Sequence, residues 1–188
     1  MIWTIFKPFN YLTIKAESGS KIVVDIYVPF VLSLIITIFL LFLNIKHNIN
    51  IFDSTHKTTA NIIGFVQTLP GFYIAALAAI ISFPNQSLDK YMSNPAMIIQ
   101  REYEDRLTRR RLLCYLLAYL AFIGVVICLL IIFVEFCYSF SLGFHPWLIT
   151  IGYLIISFIL FFFLFQLVLL TFTCLWYLGE RIHFNDPD

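Results

Sequence analysis

The sequence predicts an all-α membrane protein with four transmembrane helices, and three observations carry that prediction. Of 188 residues, 61% are hydrophobic and 12% charged, whereas soluble domains carry about 25% charged residues. Four apolar runs, roughly 21–43, 62–83, 112–134 and 147–177, are each long enough to cross a bilayer as a helix. None of them alternates apolar and polar residues, as membrane β-strands do. The chain reads as one transmembrane domain over 1–188, with an interfacial segment at 1–20, a polar loop at 84–111 and a short tail at 179–188.

Lysine and arginine set the expected orientation. Lys7, Lys15 and Lys21 precede the first span, Lys90, Arg101, Arg106, Arg109, Arg110 and Arg111 lie between the second and third, and Arg181 is in the tail. Only Lys46 and Lys57 fall on the other side, so the positive-inside rule predicts both termini and the 84–111 loop in the cytoplasm. The first run begins about twenty residues in, contains Asp25 and lacks a small-residue cleavage site, which reads as a retained helix.

The N-terminal residues MIWTIFKPFNYLTIKAESGS mix aromatic rings with lysines, as segments at a membrane interface or tails packed on a bundle do. Asp25 is the one carboxylate inside a predicted span, one helical turn after Lys21. Deep in hydrocarbon it would mark a proton-coupled transport site. Near the end of the span it would snorkel outward with Lys21, the reading its position favours. The remaining polar residues of that span up to Leu43, Ser33 and Thr37, are expected on a lipid-facing helix. In the following loop His47, Asp53 and His56 lack a metal-ligand spacing, and no cofactor is expected.

The second span, IIGFVQTLPGFYIAALAAIISF, differs from the others. Gly64, Thr68, Gly71, Ala75 and Ala79 recur at three- or four-residue spacing and form one small-residue face of a helix. Gln67 and Thr68 add polarity near its midpoint, and Pro70-Gly71 predicts a kinked or broken helix, because proline removes a backbone donor and crowds the preceding turn. Such a face either lines a passage or packs closely against another helix.

In the loop that follows, QREYEDRLTRRR at 100–111 reads as a helix running into the third span, with Arg101–Asp105 and Glu102–Arg106 four apart. Arg106, Arg109, Arg110 and Arg111 are positioned for topology and headgroup binding, or for coupling a cytoplasmic signal to the spans. The third span is bulky apart from Gly124, and the fourth is longer than a membrane needs, so it tilts or protrudes. Its amide, Gln166, is a candidate partner of Gln67 or of a symmetry copy. Cys114, Cys128, Cys137 and Cys174 read as apolar packing residues. The spans carry no paired aspartates, Ser/His pair or zinc motif, which argues against an enzyme.

The runs LPGFYIAALAAIISF at 69–83 and LTRRRLLCYLLAYLAF at 107–122 resemble small bacterial membrane proteins found beside anti-phage defence genes, nearest in pattern to the membrane effector of the Hailong defence system. The resemblance implies an inner-membrane homo-oligomer, a tetramer, that opens an ion-conducting path when infection is sensed. It further implies a partner defence enzyme whose nucleic-acid product holds the effector inactive. The short 84–111 loop, with its modest basic excess, offers such a ligand little to bind. A pore-forming effector is thus the first expectation, a non-conducting assembly or sensor subunit the second, and a small proton-coupled transporter, through Asp25, the third.

Overall fold

The computed structural model describes residues 10–16, 20–47, 51–52, 57–82, 84, 86–89, 91, 97–100, 104–139 and 146–181. Among them, four helices are long and apolar enough to cross a membrane. The first is built of Ser20–Ile22, a π-helical stretch Val23–Tyr27 and Val28–His47; the second of Thr58–Val66 and Leu69–Ser82; the third is Arg109–Ser139; the fourth is Pro146–Trp176, extended by a π-helical stretch Tyr177–Arg181. The protein is a multi-pass membrane protein by this architecture.

The third span is the centre of the molecule. Leu113, Leu117, Leu120, Gly124, Ile127, Ile131 and Val134 alternate steps of four and three and are all buried, the spacing that keeps one stripe of a helix facing a neighbour. The second and fourth spans both pack on it, the first packs on the fourth, and the second also reaches the fourth through Tyr73 and Thr171. The main contacts thus run second, third, fourth, first, a row bent until the second and fourth spans touch. Around this row Ile35, Phe39, Phe72, Ile74, Phe133 and Phe172 are exposed, as a lipid solvent allows.

One end of the row carries a small antiparallel sheet that the sequence reading lacked. It joins β1 (Ile14–Ala16), β2 (Met97–Gln100) and β3 (Glu104–Arg106) in that order, with Ile14 opposite Ile99 and Ile99 opposite Asp105. This corrects the helix expected over 100–111: Gln100 and Glu104–Arg106 are extended, and the third span starts at Arg109. The physical reason is its cap. The Arg111 amide donates to Thr108 Oγ1 at 3.4 Å and the Leu112 amide to the Thr108 carbonyl at 3.1 Å, so Thr108 ends the loop and opens the helix. Arg101 and Glu102, the other halves of the expected pairs, lie outside the described residues. So do Asp53, His56, His145, the first nine residues and the tail beyond Arg181.

A second correction concerns the first span. It was expected to face lipid, yet Asp25, Pro29, Ser33 and Thr37, each four residues apart, are buried and form its inward stripe. The edge-to-face pair Phe30–Phe158, at 5.4 Å, belongs to the same interface between the first and fourth spans.

Candidate functional site

Two polar features stand out against the apolar row, one turned outward and one enclosed. The outward one is the second span. Its helical run ends at Val66, Gln67 and Thr68 form a turn, and the helix resumes at Leu69. Proline explains the place: Pro70 has no N–H to offer the Val66 carbonyl, so the ladder lapses in the turn before it. The Gln67 amide still donates to Ile63 at 2.9 Å, and a stretched bond from the Phe72 amide to the Thr68 carbonyl, 3.4 Å, restarts the ladder.

The span presents two faces that run through this turn. Inward, Val66, Tyr73 and Ile80 are buried, Pro70 is half-buried, and the Tyr73 hydroxyl lies 2.6 Å from Thr171 Oγ1 on the fourth span. Outward, Gly64, Gln67, Thr68, Gly71, Ala75 and Ala79 are all exposed. A methyl group added at Gly64 or Gly71 would meet nothing within 4 Å. Beside this face, Thr58, Asn61, Ile62 and Phe65 with Leu164 and Val168 line an open groove of about 310 Å³.

The enclosed feature is built on Asp25. Pro29 has no amide hydrogen for the Asp25 carbonyl one turn earlier, and Gln166 fills the gap, its Nε2 donating to that oxygen at 2.9 Å. Gln166 Oε1 accepts in turn from the Tyr119 hydroxyl at 3.2 Å. The Asp25 carboxylate accepts from the Tyr11 hydroxyl at 3.3 Å and faces Lys21 Nζ at 3.7 Å. Lys21 Nζ also donates to the carbonyls of Tyr11 at 2.6 Å and Ile14 at 2.8 Å, and sits 4.0 Å from the centre of the Tyr11 ring. Tyr11 stacks on Tyr119 at 5.3 Å. Burial, and after it the Asp25 charge, hold the Tyr11 phenol well above its ordinary value, so it remains a donor.

Two expectations are corrected here. Asp25 does not snorkel: it is 4% exposed, and Lys21 turns inward with it. Gln166, 2% exposed, does not reach for Gln67, because Tyr119 and Asp25 already engage both ends of its amide. The sequence reading missed Tyr11 and Tyr119 as members of one cluster. The signal for its inward face was present, in the four-residue spacing of Asp25, Pro29, Ser33 and Thr37.

The arginines separate as well. Arg110 grips Asp89 with a two-pronged pair at 2.7 and 3.1 Å, and its Nη1 donates to the Ile80 carbonyl at 2.7 Å. One side chain of the third span thereby closes the last turn of the second. Arg109 is buried, Arg111 is exposed, and Arg106 lies in β3. The four cysteines are free thiols, Cys174 buried and the others half-buried. Among the described residues, no group of three or more His, Cys, Asp or Glu side chains could hold a metal ion, and His47 is exposed at the end of the first span. No protein family, curated protein or solved structure matches the chain.

Proposed function

We propose that this chain is one subunit of a homo-oligomeric membrane effector whose second spans meet around a shared path for ions. The observation that carries the proposal is the contrast between the two glutamines within the spans. Gln166 is buried with both ends of its amide bonded, whereas Gln67 is exposed on the face formed with Gly64, Thr68, Gly71, Ala75 and Ala79. An amide left against hydrocarbon costs several kcal/mol, so it calls for water or another helix. Small residues let neighbouring backbones approach, and the interruption at Gln67–Thr68 acts in this reading as a kink that turns polar groups to the path.

The charge pattern supports cytoplasmic termini, and the resemblance to Hailong-type effectors supports the bacterial inner membrane, a tetramer, a role in anti-phage defence, and control by a partner enzyme or its nucleic-acid product. The test is inducible expression in bacteria with a membrane-potential dye, comparing wild type with Gly71→Leu and Gln67→Leu. Depolarisation by wild type, lost in both variants, is the expected result. Oligomers that form without any depolarisation would replace the pore with a non-conducting assembly.

One observation favours a second reading, proton-coupled transport: the Asp25 carboxylate is enclosed among the spans. Uptake driven by a proton gradient and abolished by Asp25→Asn would support it over the pore.

A further inference from the structure

We propose that residues 10–16 are a strap, fastened by the Lys21 ammonium, that couples the small sheet to the interruption in the second span. The strap consists of the short helix Asn10–Thr13 and β1. A three-residue strand holds little by itself, so its seat must come from elsewhere. Tyr11 and Ile14 are buried, and Lys21 supplies the fastening: two carbonyl oxygens of the strap at 2.6 and 2.8 Å, the Tyr11 ring at 4.0 Å and the Asp25 carboxylate at 3.7 Å surround its Nζ. The arrangement is a cage for an ammonium ion, filled by a tethered one. The contacts around Nζ are polar or charge-based, so water can replace them once the strap lifts, while the buried Tyr11 and Ile14 side chains add an apolar hold.

On one side the strap joins the sheet: β1 pairs with β2, β2 with β3, and two residues after β3 the third span begins. On the other side contact is continuous into the spans. Tyr11 binds Asp25 and stacks on Tyr119, and both bind Gln166. The next residue, Leu167, shares with Pro70 the space over Gly124: a methyl there would lie 3.8 Å from Leu167 Cδ1 and 2.9 Å from Pro70 Cγ. Pro70 is the residue that interrupts the second span. In this proposal, release of the strap frees Gln166 and lets Leu167 shift against the proline, and the two arrangements of Leu167 are the discrete alternative that coupling between distant sites requires. The strap stands independently of ion conduction; only its consequence for ion flow rests on the conducting reading.

The test uses the full chain in lipid vesicles with the four native cysteines replaced by alanine and Thr68→Cys as reporter. Lys21→Met is expected to speed amide exchange at 14–16 by about tenfold or more, equivalent to ~1.4 kcal/mol of lost protection, and to change the labelling rate of Thr68→Cys. Ethylammonium should restore Lys21→Ala in both readouts, and tetramethylammonium, which has no N–H, should not. Tyr11→Phe, which deletes one hydroxyl, should act in the same direction more weakly and covers the case in which Lys21→Met fails to insert. Exchange unchanged in both variants overturns the strap, and faster exchange with unchanged labelling overturns the coupling. If both readouts respond while no variant passes ions, the strap is supported and the conducting reading fails.

Discussion

Pro70 of the second span lies directly over Gly124 of the third, so close that a methyl at position 124 would come within 2.9 Å of the proline ring. The pair explains why the third span, bulky elsewhere, carries a glycine at mid-height. A proline ring cannot rotate away as a flexible side chain can.

Gly124→Ala is therefore expected to destabilise the fold by about 1–3 kcal/mol, the usual cost of overpacking a filled site. Gly152→Ala is the control, since a methyl there meets nothing within 4 Å. Unfolding in detergent should show a lower midpoint for the first variant and none for the second. Equal midpoints would mean that the two spans separate readily.

Gly64 and Gly71 sit on open surface, and the reverse pattern is expected of them. Leucine at either position should leave the unfolding midpoint of the single chain within about 0.5 kcal/mol of wild type, the range of surface changes. Cross-linked oligomers should disappear from the membrane all the same. A stable oligomer in Gly71→Leu would move the interface to another face.

Arg110 joins two spans through one guanidinium, so the shape of the group should matter as well as its charge. Arg110→Lys keeps the charge and loses the fork to Asp89 and the bond to the Ile80 carbonyl. Faster amide exchange in the last turn of the second span is expected, with about 1 kcal/mol lost. Because Asp89 is mostly exposed, Asp89→Asn should cost less than that.

The Tyr11 phenol gives the strap a pH dependence of known sign. Its folded-state value lies above the ordinary 10.0, so the folded chain keeps the proton longer than the unfolded one. The stabilisation is complete below about pH 10 and is lost progressively as pH rises beyond it. Protection of the amides at 14–16, taken relative to the intrinsic base-catalysed rate at each pH, should fall there, with the fall reduced in Tyr11→Phe. An unchanged profile in that variant would assign the effect to another group.

Much of this protein was legible in its residues. Length and hydropathy determined the four spans to within a few positions, because crossing hydrocarbon requires some twenty apolar residues whatever surrounds them. Pro70 was expected to kink or break the second span at Pro70-Gly71; both residues are helical, and a turn at Gln67–Thr68 lies just before them, where the proline's missing donor falls. Which face of each apolar helix meets protein was decided only by tertiary structure. Lipid is as apolar as a leucine core, so hydropathy alone did not separate the two faces: the four-residue spacing of Asp25, Pro29, Ser33 and Thr37 marked one stripe without saying that it turns inward, and nothing marked Gln67 as turning out. The same holds for the Asp25 cluster: Tyr11, Lys21, Tyr119 and Gln166 come from four separate stretches of chain, and only the packing of the spans and the seating of β1 bring them within hydrogen-bonding reach.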